Sequence, residues 1–420
     1  MNADQIKKIA QELREIAQNV TDPGSSDALN FYSHDDFSYG LSREYVIRLN
    51  KQIQGIFDHK PYANRFSKKF ISKKLRKIIV RSFENEDLDF ENDLQLLDRE
   101  LADFQDSQEI YLAVDGLILN QCFTLGNVKF TPGDDYSLTF IQEKARPYLE
   151  KSQKIECNYE LKLENFKNNL DQEFRGGSIA IVSVIGEHDQ AYEIAKEEAR
   201  RAIDLLRYTH KFFKRDNDTR IGLRGDYPGA LRRSFIFSEK KYLTKGELVG
   251  LNRFEIDENV LDVMQKVGIF KLADYSSRED MSEFKEAIFK SIHWLSMSSK
   301  QDRKDNILLC LVIALESLFK PVEGKTIREN IADSVVSILS DQISSHEQIA
   351  RQMKDLYSKR SNIAHGGTRA LKDITDSDLY FLVRVVVAVI ERCLIRMDDF
   401  ASREELANWL HGLKLSEPTV

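Results

Sequence analysis

The sequence contains few of the features that assign a protein to a familiar biochemical class. It has four cysteines, Cys122, Cys157, Cys310 and Cys393, and no two of them form a CxxC pair. A disulfide framework is not expected at this density, and the spacing of a cysteine-based metal site is missing. The GxxxxGK[ST], GxSxG and HExxH patterns are absent too. We therefore expect no metal ion and no cofactor, and a reducing, cytoplasmic location.

Long hydrophobic runs and a net positive charge are also lacking. The most apolar segment, Leu379 to Ile395, is interrupted by Arg384, Glu391 and Arg392 and is too short to span a bilayer. The amino-terminal segment carries charges throughout, unlike a signal peptide. We expect no contact with a membrane. The net charge of −7 excludes a global basic field, although local basic patches are compatible with an acidic total.

The 420 residues, 42% apolar and 31% charged, are typical of a soluble globular protein with two to four domains. The predicted fold class is an α+β amino-terminal region, with a helical start and then a strand-rich layer under a covering helix, followed by an all-α helical bundle. We place these parts at residues 1–109, 110–275 and 276–411. The charged segment from Ala273 to Ser282 marks the last boundary.

Hydrophobic periodicity supports this division. Apolar residues at helical spacing predict helices over Ile6 to Ile16, Tyr45 to Phe57 and Ala191 to Phe213. Short apolar or alternating runs between turn residues predict strands in the middle region, at EIYLAVDGLIL, CFTLGNVKFTPG, YSLTFIQ, IECNYELKLENF, GSIAIVSVIG and RRSFIFSE.

A charge switch lies within the first region. The segment RFSKKFISKKLRKIIVR, from Arg65 to Arg81, is basic, and SFENEDLDFENDLQLLDREL directly after it is acidic. One interpretation is two solvated helical faces that partly neutralise each other. The other is that the basic segment, with Phe66 and Phe70 interleaved, contacts a nucleic-acid backbone or a partner.

The last region contains five predicted helices joined by short loops, which is typical of an all-α bundle. They cover Glu283 to Met297, Asp305 to Phe319, Thr326 to Leu339, His346 to Ala364 and Asp376 to Phe400. Thr326 is a predicted N-cap with Glu329 at the position that completes a capping box.

The fourth of these helices ends in YSKRSNIAHGG, where Arg360 is followed by His365 and two glycines. The glycines favour a left-handed helix cap. Positions five apart lie about 140° around a regular helix, so both side chains reach one phosphate only if the last turn distorts or a second chain contributes. The structural alternative pairs Arg360 with a nearby carboxylate and His365 with carbonyls at the helix end.

The segments LYSKRSNIAHGG and LCLVIALESLFKP and the long closing helix together resemble the HEPN domain (higher eukaryotes and prokaryotes nucleotide-binding). RSNIAHG after a tyrosine is most similar to the Apea-like HEPN branch found in bacterial defence proteins. The resemblance covers roughly Ser282 to Phe400. Arg360 and His365 match the family signature of arginine, four to six residues, then histidine. Ser361 departs from the Asn, Asp or His that many members carry there.

The resemblance implies a metal-independent RNA endonuclease whose product carries a 2′,3′-cyclic phosphate. In that chemistry His365 would move a proton, and Arg360 would hold the phosphate and stabilise its developing charge. Glu316 matches the acidic residue that orients the family's arginine.

The resemblance also implies substrate contacts and partners. The expected RNA-binding residues are Tyr357, Lys359, Ser361 and Asn362, with local positive charge from Lys354, Lys359, Arg369 and Lys372. A homodimer through the bundle would bring two motifs to one cleft. The amino-terminal region would sense or regulate in anti-phage defence, with a phage-derived trigger or an antitoxin as a further partner. The alternative is a catalytically inactive HEPN-like module for dimerisation or nucleic-acid binding.

Overall fold

The computed structural model of the chain describes residues 1–21, 30–34, 37–59, 62, 64–84, 88–152, 159–214, 219–227, 231–238, 241–248, 252–276, 278, 281–322, 324–340, 346–364 and 374–416. Within these ranges there are fifteen helices and eleven strands. The chain divides into a first unit, Met1–Ile110 with Ser183–Glu197, and a second unit, Tyr111–Val182 with Glu198–Val420. None of the described helices combines the length and the apolar character needed to cross a bilayer.

The first unit is mainly helical, as predicted. Its helices are α1 (Ala3–Gln18), α2 (Arg43–Phe57), α3 (Lys68–Glu84) and α4 (Phe90–Ala102), and the hairpin β1 (Asn30–His34) with β2 (Phe37–Leu41) is antiparallel. The predicted helices over Ile6 to Ile16 and Tyr45 to Phe57 are confirmed, whereas the hairpin is absent from the sequence-based prediction. Apolar residues from all four helices form one buried core, among them Leu13, Ile16, Leu49, Ile56, Leu75 and Leu94.

The charge switch of the first unit separates α3 from α4. Arg81 Nη1 lies 2.8 Å from Asp93 Oδ2, and Lys74 forms an ion pair with Glu100. Mutual neutralisation is therefore confirmed for these two pairs. Phe66 is fully buried and contacts the rings of Phe70 and Phe104, so this ring is part of the core and not of a binding surface; the contact of the basic segment with a nucleic acid or a partner stays a prediction.

The strands after residue 106 form a small, mostly antiparallel layer. They are β3 (Ser107–Asp115), β4 (Leu117–Leu119), β5 (Phe123–Leu125), β6 (Val128–Pro132), β7 (Ser178–Ile185), β8 (Gly222–Leu223), β9 (Leu231–Ser238), β10 (Lys241–Leu248) and β11 (Phe254–Ile256). One sheet has the order β5-β6-β7-β3-β8, β9 and β10 form an antiparallel hairpin, and β11 pairs with β4 in parallel. Strands predicted at EIYLAVDGLIL, CFTLGNVKFTPG, GSIAIVSVIG and RRSFIFSE are confirmed.

Two predicted strands are helices instead. YSLTFIQ lies in α5 (Asp135–Ser152), and the described part of IECNYELKLENF lies in α6 (Tyr159–Phe174); residues 155–158 are outside the described ranges. Asp134 Oδ1 accepts a hydrogen bond from the Ser137 amide at 2.9 Å and so caps α5. Leu138 and Ile141, three residues apart, then bury on the same face of α5. The seven residues of YSLTFIQ are too few to show this helical spacing in the sequence. The predicted helix over 191–213 is confirmed as part of α7 (His188–Phe213).

The rest of the second unit is helical. Its helices are α8 (Glu258–Val267), α9 (Ile269–Ser276), α10 (Glu283–Ser298), α11 (Lys304–Leu318), α12 (Ile327–Ile338), α13 (His346–Ala364), α14 (Asp376–Ile395) and α15 (Arg403–Ser416). The five predicted helices correspond to α10 to α14, and α15 is additional. Thr326 and Glu329 form the predicted capping box of α12.

Helix α11 lies at the centre of these helices and contacts α10, α13 and α14. Its Leu308, Leu311 and Leu315 are fully buried, as are Leu382 and Val386 of α14. A helix that is apolar on most sides is expected in such a central position. A charged side chain on α11 therefore needs a specific partner or access to solvent.

A buried polar cluster joins α7 to α10. Arg207 Nε donates to the Ile221 carbonyl at 2.6 Å, and its Nη1 donates to Asp204 Oδ1 and Ser296 Oγ, each at 2.9 Å. Asp204 Oδ2 lies 2.8 Å from His293 Nδ1. Arg207 is only 3% exposed, and these partners compensate part of the loss of its hydration, whereas its buried Nη2 has no hydrogen-bond partner among the described residues.

A second cluster surrounds Asp398, just after α14. Tyr275 Oη donates to Asp398 Oδ1 at 3.0 Å, Lys285 Nζ lies 3.1 Å from the same oxygen, and Lys271 pairs with Oδ2. The hydrogen bond from Lys271, followed by those from Lys285 and Tyr275, lowers the pKa of Asp398 to about 2, although burial acts in the opposite direction. The cluster connects α9, α10 and the turn after α14.

Candidate functional site

Three of the predicted site residues meet on facing sides of α11 and α13. Tyr357 and Arg360 lie one turn apart on α13, and Glu316 lies near the end of α11. Buried Leu356 precedes Tyr357, and fully buried Leu315 precedes Glu316. The polar group thus begins where the apolar contact of the two helices ends, and helix packing fixes the backbone of all three residues.

The Glu316 carboxylate holds both partners at once. Tyr357 Oη donates to Oε1 at 2.9 Å, and Arg360 Nη2 donates to Oε2 at 3.2 Å. The guanidinium carbon of Arg360 lies 5.6 Å from the centre of the Tyr357 ring, within cation–π range. The side chains of Arg360 and Glu316 are 25% and 23% exposed, so the group is reachable from solvent. Each carboxylate oxygen has its own donor, which fixes the rotation of the carboxylate.

The electrostatics keep Tyr357 a neutral donor. Burial, then the hydrogen bond to Glu316 and the charge of that carboxylate, raise the pKa of Tyr357 to about 12, while the cation of Arg360 acts in the opposite direction. The contact with Glu316 uses one of the five N–H donors of the guanidinium. Nε of Arg360 is buried and has no acceptor among the described residues. Arg360 is therefore oriented by Glu316 without being saturated by it.

Lys359 has a different environment. Its Nζ lies 3.0 Å from Asp355 Oδ2 and 3.0 Å from Asp378 Oδ2. Burial acts to lower the pKa of Lys359, but the hydrogen bonds to these two carboxylates outweigh it and raise the pKa. Asp378 also completes the capping box of Thr375 at the start of α14. Lys359 thus ties α13 to α14, and its predicted contact with RNA stays a prediction.

The remaining predicted residues are at or beyond the end of α13. Ser361 is half-buried and Asn362 is exposed in its last turn. His365 lies outside the described residues, as do Gly366, Gly367, Arg369 and Lys372. The expected separation of Arg360 and His365 around the helix therefore stays a prediction.

Sequence reasoning missed two sets of contacts around the site. The first set is the contact of Lys359 with Asp355 and Asp378. The position of Asp378 is predictable from the sequence, because Thr375 and Asp378 have the spacing of a capping box at the start of a helix. Arg328 Nη1, on α12, donates to Ser358 Oγ at 3.4 Å, and this contact across 30 residues has no local signal.

Among the described residues, no group of three or more His, Cys, Asp and Glu side chains is placed to hold a metal ion. Comparison of the chain with family models, with curated proteins and with solved structures finds no match. The function is therefore argued from the site itself.

Proposed function

We propose that the helices α10 to α14 form a HEPN-type, metal-independent RNA endonuclease that acts in anti-phage defence. The observation that supports it is the contact of Glu316 with Arg360, five residues before His365. The contact has the arrangement that the family resemblance implies for an oriented phosphate-binding arginine. The amino-terminal part of the chain would sense a phage-derived trigger or respond to an antitoxin.

The proposed reaction is attack of an RNA 2′-hydroxyl on the adjacent phosphorus. The 2′-oxygen–phosphorus bond forms, the bond from phosphorus to the 5′-oxygen breaks, and a 2′,3′-cyclic phosphate and a 5′-hydroxyl result. His365 takes the 2′-proton while water protonates the leaving 5′-oxygen, or His365 protonates the leaving oxygen while water takes the 2′-proton. Arg360 donates to the phosphate oxygens as negative charge develops, and Glu316 holds the guanidinium in position. Tyr357, Ser361 and Asn362 would contact the RNA.

A homodimer completes the proposed site. Arg360 and His365 are about 140° apart on a regular helix, so one undistorted helix does not present both to one phosphate. Two bundles facing each other place the arginine of one chain near the histidine of the other. Mixing the two inactive variants Arg360→Ala and His365→Ala would then restore part of the activity, because a mixed dimer holds one complete site.

The direct test is cleavage of labelled RNAs by the purified full chain in EDTA, with mass analysis of the product ends. We expect cyclic phosphate ends, and a loss of at least about a hundredfold for His365→Ala. His411→Ala is the matched control, because this histidine is exposed on α15 of the same unit. Equal cleavage by wild type and His365→Ala, or no cleavage of any RNA even with infected-cell extract as a source of trigger, would contradict the proposal. Defence is tested separately by plaque counts on cells that carry the wild-type gene or the His365→Ala gene.

A second candidate function is an inactive HEPN-like module for dimerisation or nucleic-acid binding. It is favoured by Ser361, which stands where many family members carry Asn, Asp or His. Under this alternative no RNA is cut, and Arg360→Ala weakens self-association or RNA binding, measured by sedimentation velocity and by fluorescence anisotropy. Toxicity on expression that His365→Ala abolishes would favour the active enzyme.

A further inference from the structure

Arg328, at the start of α12, contacts the candidate site from a second helix. It is the second residue of α12, and its Nη1 donates to Ser358 Oγ of α13 at 3.4 Å. Ser358 lies two residues before Arg360. The Ser358 hydroxyl in turn donates to the Lys354 carbonyl at 2.9 Å, so its oxygen can accept from the guanidinium. The contact places beside the last turns of α13 a cation that the proposed function does not use.

Arg328 differs from other arginines of the same unit in having no ion pair. Arg303, Arg396 and Arg403 each lie within 3.3 Å of a carboxylate oxygen. Arg328 is exposed and pairs with none of the described carboxylates. Its contact with Ser358 is to a neutral hydroxyl and is long for a hydrogen bond. Four of the five N–H donors of this guanidinium therefore have no partner in the described part of the chain.

Glu329, the residue after Arg328, is engaged elsewhere. Its carboxylate accepts from the Thr326 hydroxyl at 2.7 Å and from the Thr326 amide at 3.1 Å. These hydrogen bonds from Thr326 lower the pKa of Glu329, and the charges of Arg328 and Lys354 add smaller contributions in the same direction. Glu329 thus weakens the field of Arg328 from a distance, but its carboxylate is held by the helix cap and does not pair with the guanidinium.

Helix stability does not explain an arginine at this position. Arg328 lies in the first turn of α12, where the helix dipole favours acidic residues and disfavours cations. Its hydrogen bond to Ser358, at 3.4 Å, gives little stabilisation in return. A phosphate that accepts from the guanidinium would offset the unfavourable position, because arginine and phosphate form strong, charge-assisted hydrogen bonds.

The position of Ser358 on α13 shows which side of this helix Arg328 approaches. Around a regular helix Ser358 is about 40° from Asn362 and about 60° from Ser361, but about 160° from Arg360. Ser361 is half-buried and Asn362 is exposed. Arg328 therefore lies beside the two residues from which RNA contacts are expected, whereas Arg360 is on the opposite side of α13. A phosphate held by Arg360 leaves Arg328 available for another one.

We propose that Arg328 binds a second phosphate of the RNA, apart from the one that is cleaved, on the side of α13 that carries Ser361 and Asn362. The inference rests on the proposed function, because the adjoining site makes RNA the expected anion. The planar guanidinium matches a phosphate, and the hydroxyl and amide beside it suit a ribose 2′-hydroxyl, which both donates and accepts. RNA long enough to carry the second phosphate then binds more tightly than a shorter substrate.

The test is fluorescence anisotropy of a labelled 12-nucleotide RNA with the full chain carrying His365→Ala, so that the proposed nuclease does not cut the probe. Arg328→Gln is compared in this background with Arg278→Gln, which removes an equal charge from an exposed arginine of the same unit outside α12 and α13. For Arg328→Gln alone we expect about fivefold to tenfold weaker binding at 0.15 M salt. The salt slope should fall by about 0.7, the contribution of one contact to a single strand. Arg328→Lys should restore the slope but only part of the affinity, because lysine keeps the charge without the planar fork.

Two further measurements separate RNA binding from folding and from catalysis. Arg328→Gln should leave the midpoint of urea unfolding unchanged, because no ion pair is lost, and a lower midpoint would indicate a structural role and overturn the proposal. In a chain that retains His365, the loss should appear in KM and be larger for the 12-nucleotide RNA than for a dinucleotide, which has a single phosphate.

The proposal is also overturned if Arg328→Gln and Arg278→Gln weaken RNA binding equally, if no RNA binds, or if polyglutamate displaces the labelled RNA as well as unlabelled RNA does. Cleavage of RNA by the wild-type chain in any of these cases would leave the nuclease proposal unaffected. Selective loss of binding in Arg328→Gln, with no cleavage by the wild type, would support the contact of Arg328 and refute the nuclease.

Discussion

Glu316→Gln tests whether the carboxylate holds Arg360 and Tyr357 together. The replacement keeps the shape of the side chain but has one oxygen in place of two equivalent ones, and no charge. It therefore accepts from Tyr357 or from Arg360, but it does not satisfy both as the carboxylate does at 2.9 and 3.2 Å. Ion pairs exposed to this degree contribute up to about 1 kcal/mol, and a lost charge-assisted hydrogen bond adds a similar amount. We expect the free energy of unfolding to fall by about 1.5 kcal/mol.

The assay is urea unfolding followed by tryptophan fluorescence. Both tryptophans, Trp294 and Trp409, belong to the second unit, so the signal reports the unit that contains the site. A lower midpoint with an unchanged m value indicates a loss of stability. The matched control is Glu404→Gln, which removes an equal charge from an exposed pair with Lys320 and is expected to leave the midpoint unchanged.

Glu316→Gln also links stability to the proposed activity. If Glu316 positions the guanidinium, RNA cleavage falls by about tenfold to a hundredfold, since small misplacements of a catalytic group have effects of this size. The reasoning is refuted if Glu316→Gln leaves the midpoint as unchanged as Glu404→Gln does. Normal cleavage by a measurably destabilised variant would refute the positioning role alone.

Two further predictions concern the polar clusters of the second unit. The folded-state pKa of Asp398 is about 2 and the ordinary value is about 3.9, so its ion pairs stabilise the fold above about pH 4 and are lost as the pH falls towards 2. Asp398→Asn should lower the free energy of unfolding by about 1 kcal/mol at pH 7, after allowance for solvent screening, and by progressively less as the pH falls through 2. A difference from wild type that does not change with pH would contradict this. Arg207→Met should cost about 3 kcal/mol, because it leaves the mostly buried carboxylate of Asp204 without the guanidinium and with only His293 and Ser296 as partners. A loss under about 1 kcal/mol in the same urea assay would show that the cluster relaxes.

Signals in the local sequence are sufficient to predict a helix when the residues that favour it lie within the helix itself. The capping box of Thr326 and Glu329 and the long apolar runs of α11 and α14 are visible in the sequence, and the structure confirms these helices. The sequence predicts a strand where the structure has helix α5, because the buried residues of this helix, Leu138 and Ile141, face a cluster completed by α6 more than twenty residues later. Tertiary packing decides between helix and strand in such short apolar segments.

The contacts of the candidate site also depend on tertiary packing and are not predictable from local sequence. No periodicity relates Glu316 to Arg360, which are separated by 44 residues, and their association was expected from the family resemblance alone. The salt bridge of Lys359 with Asp378 was not expected, since it depends on how α13 and α14 pack. Contacts between helices are set by the bundle, and a single sequence contains no direct signal for them.

Arg360 and Lys359 are neighbours on α13 but differ in how fully carboxylates satisfy them. Lys359 has a carboxylate on each side at 3.0 Å, an arrangement that stabilises the junction of two helices and leaves little attraction for a phosphate. Arg360 has one carboxylate and a buried Nε without an acceptor among the described residues. An unsatisfied buried donor costs about 1–3 kcal/mol, which exceeds the contribution of a partly exposed ion pair. Stability alone therefore does not account for an arginine at this position; under the proposed function, a phosphate would accept from the remaining donors.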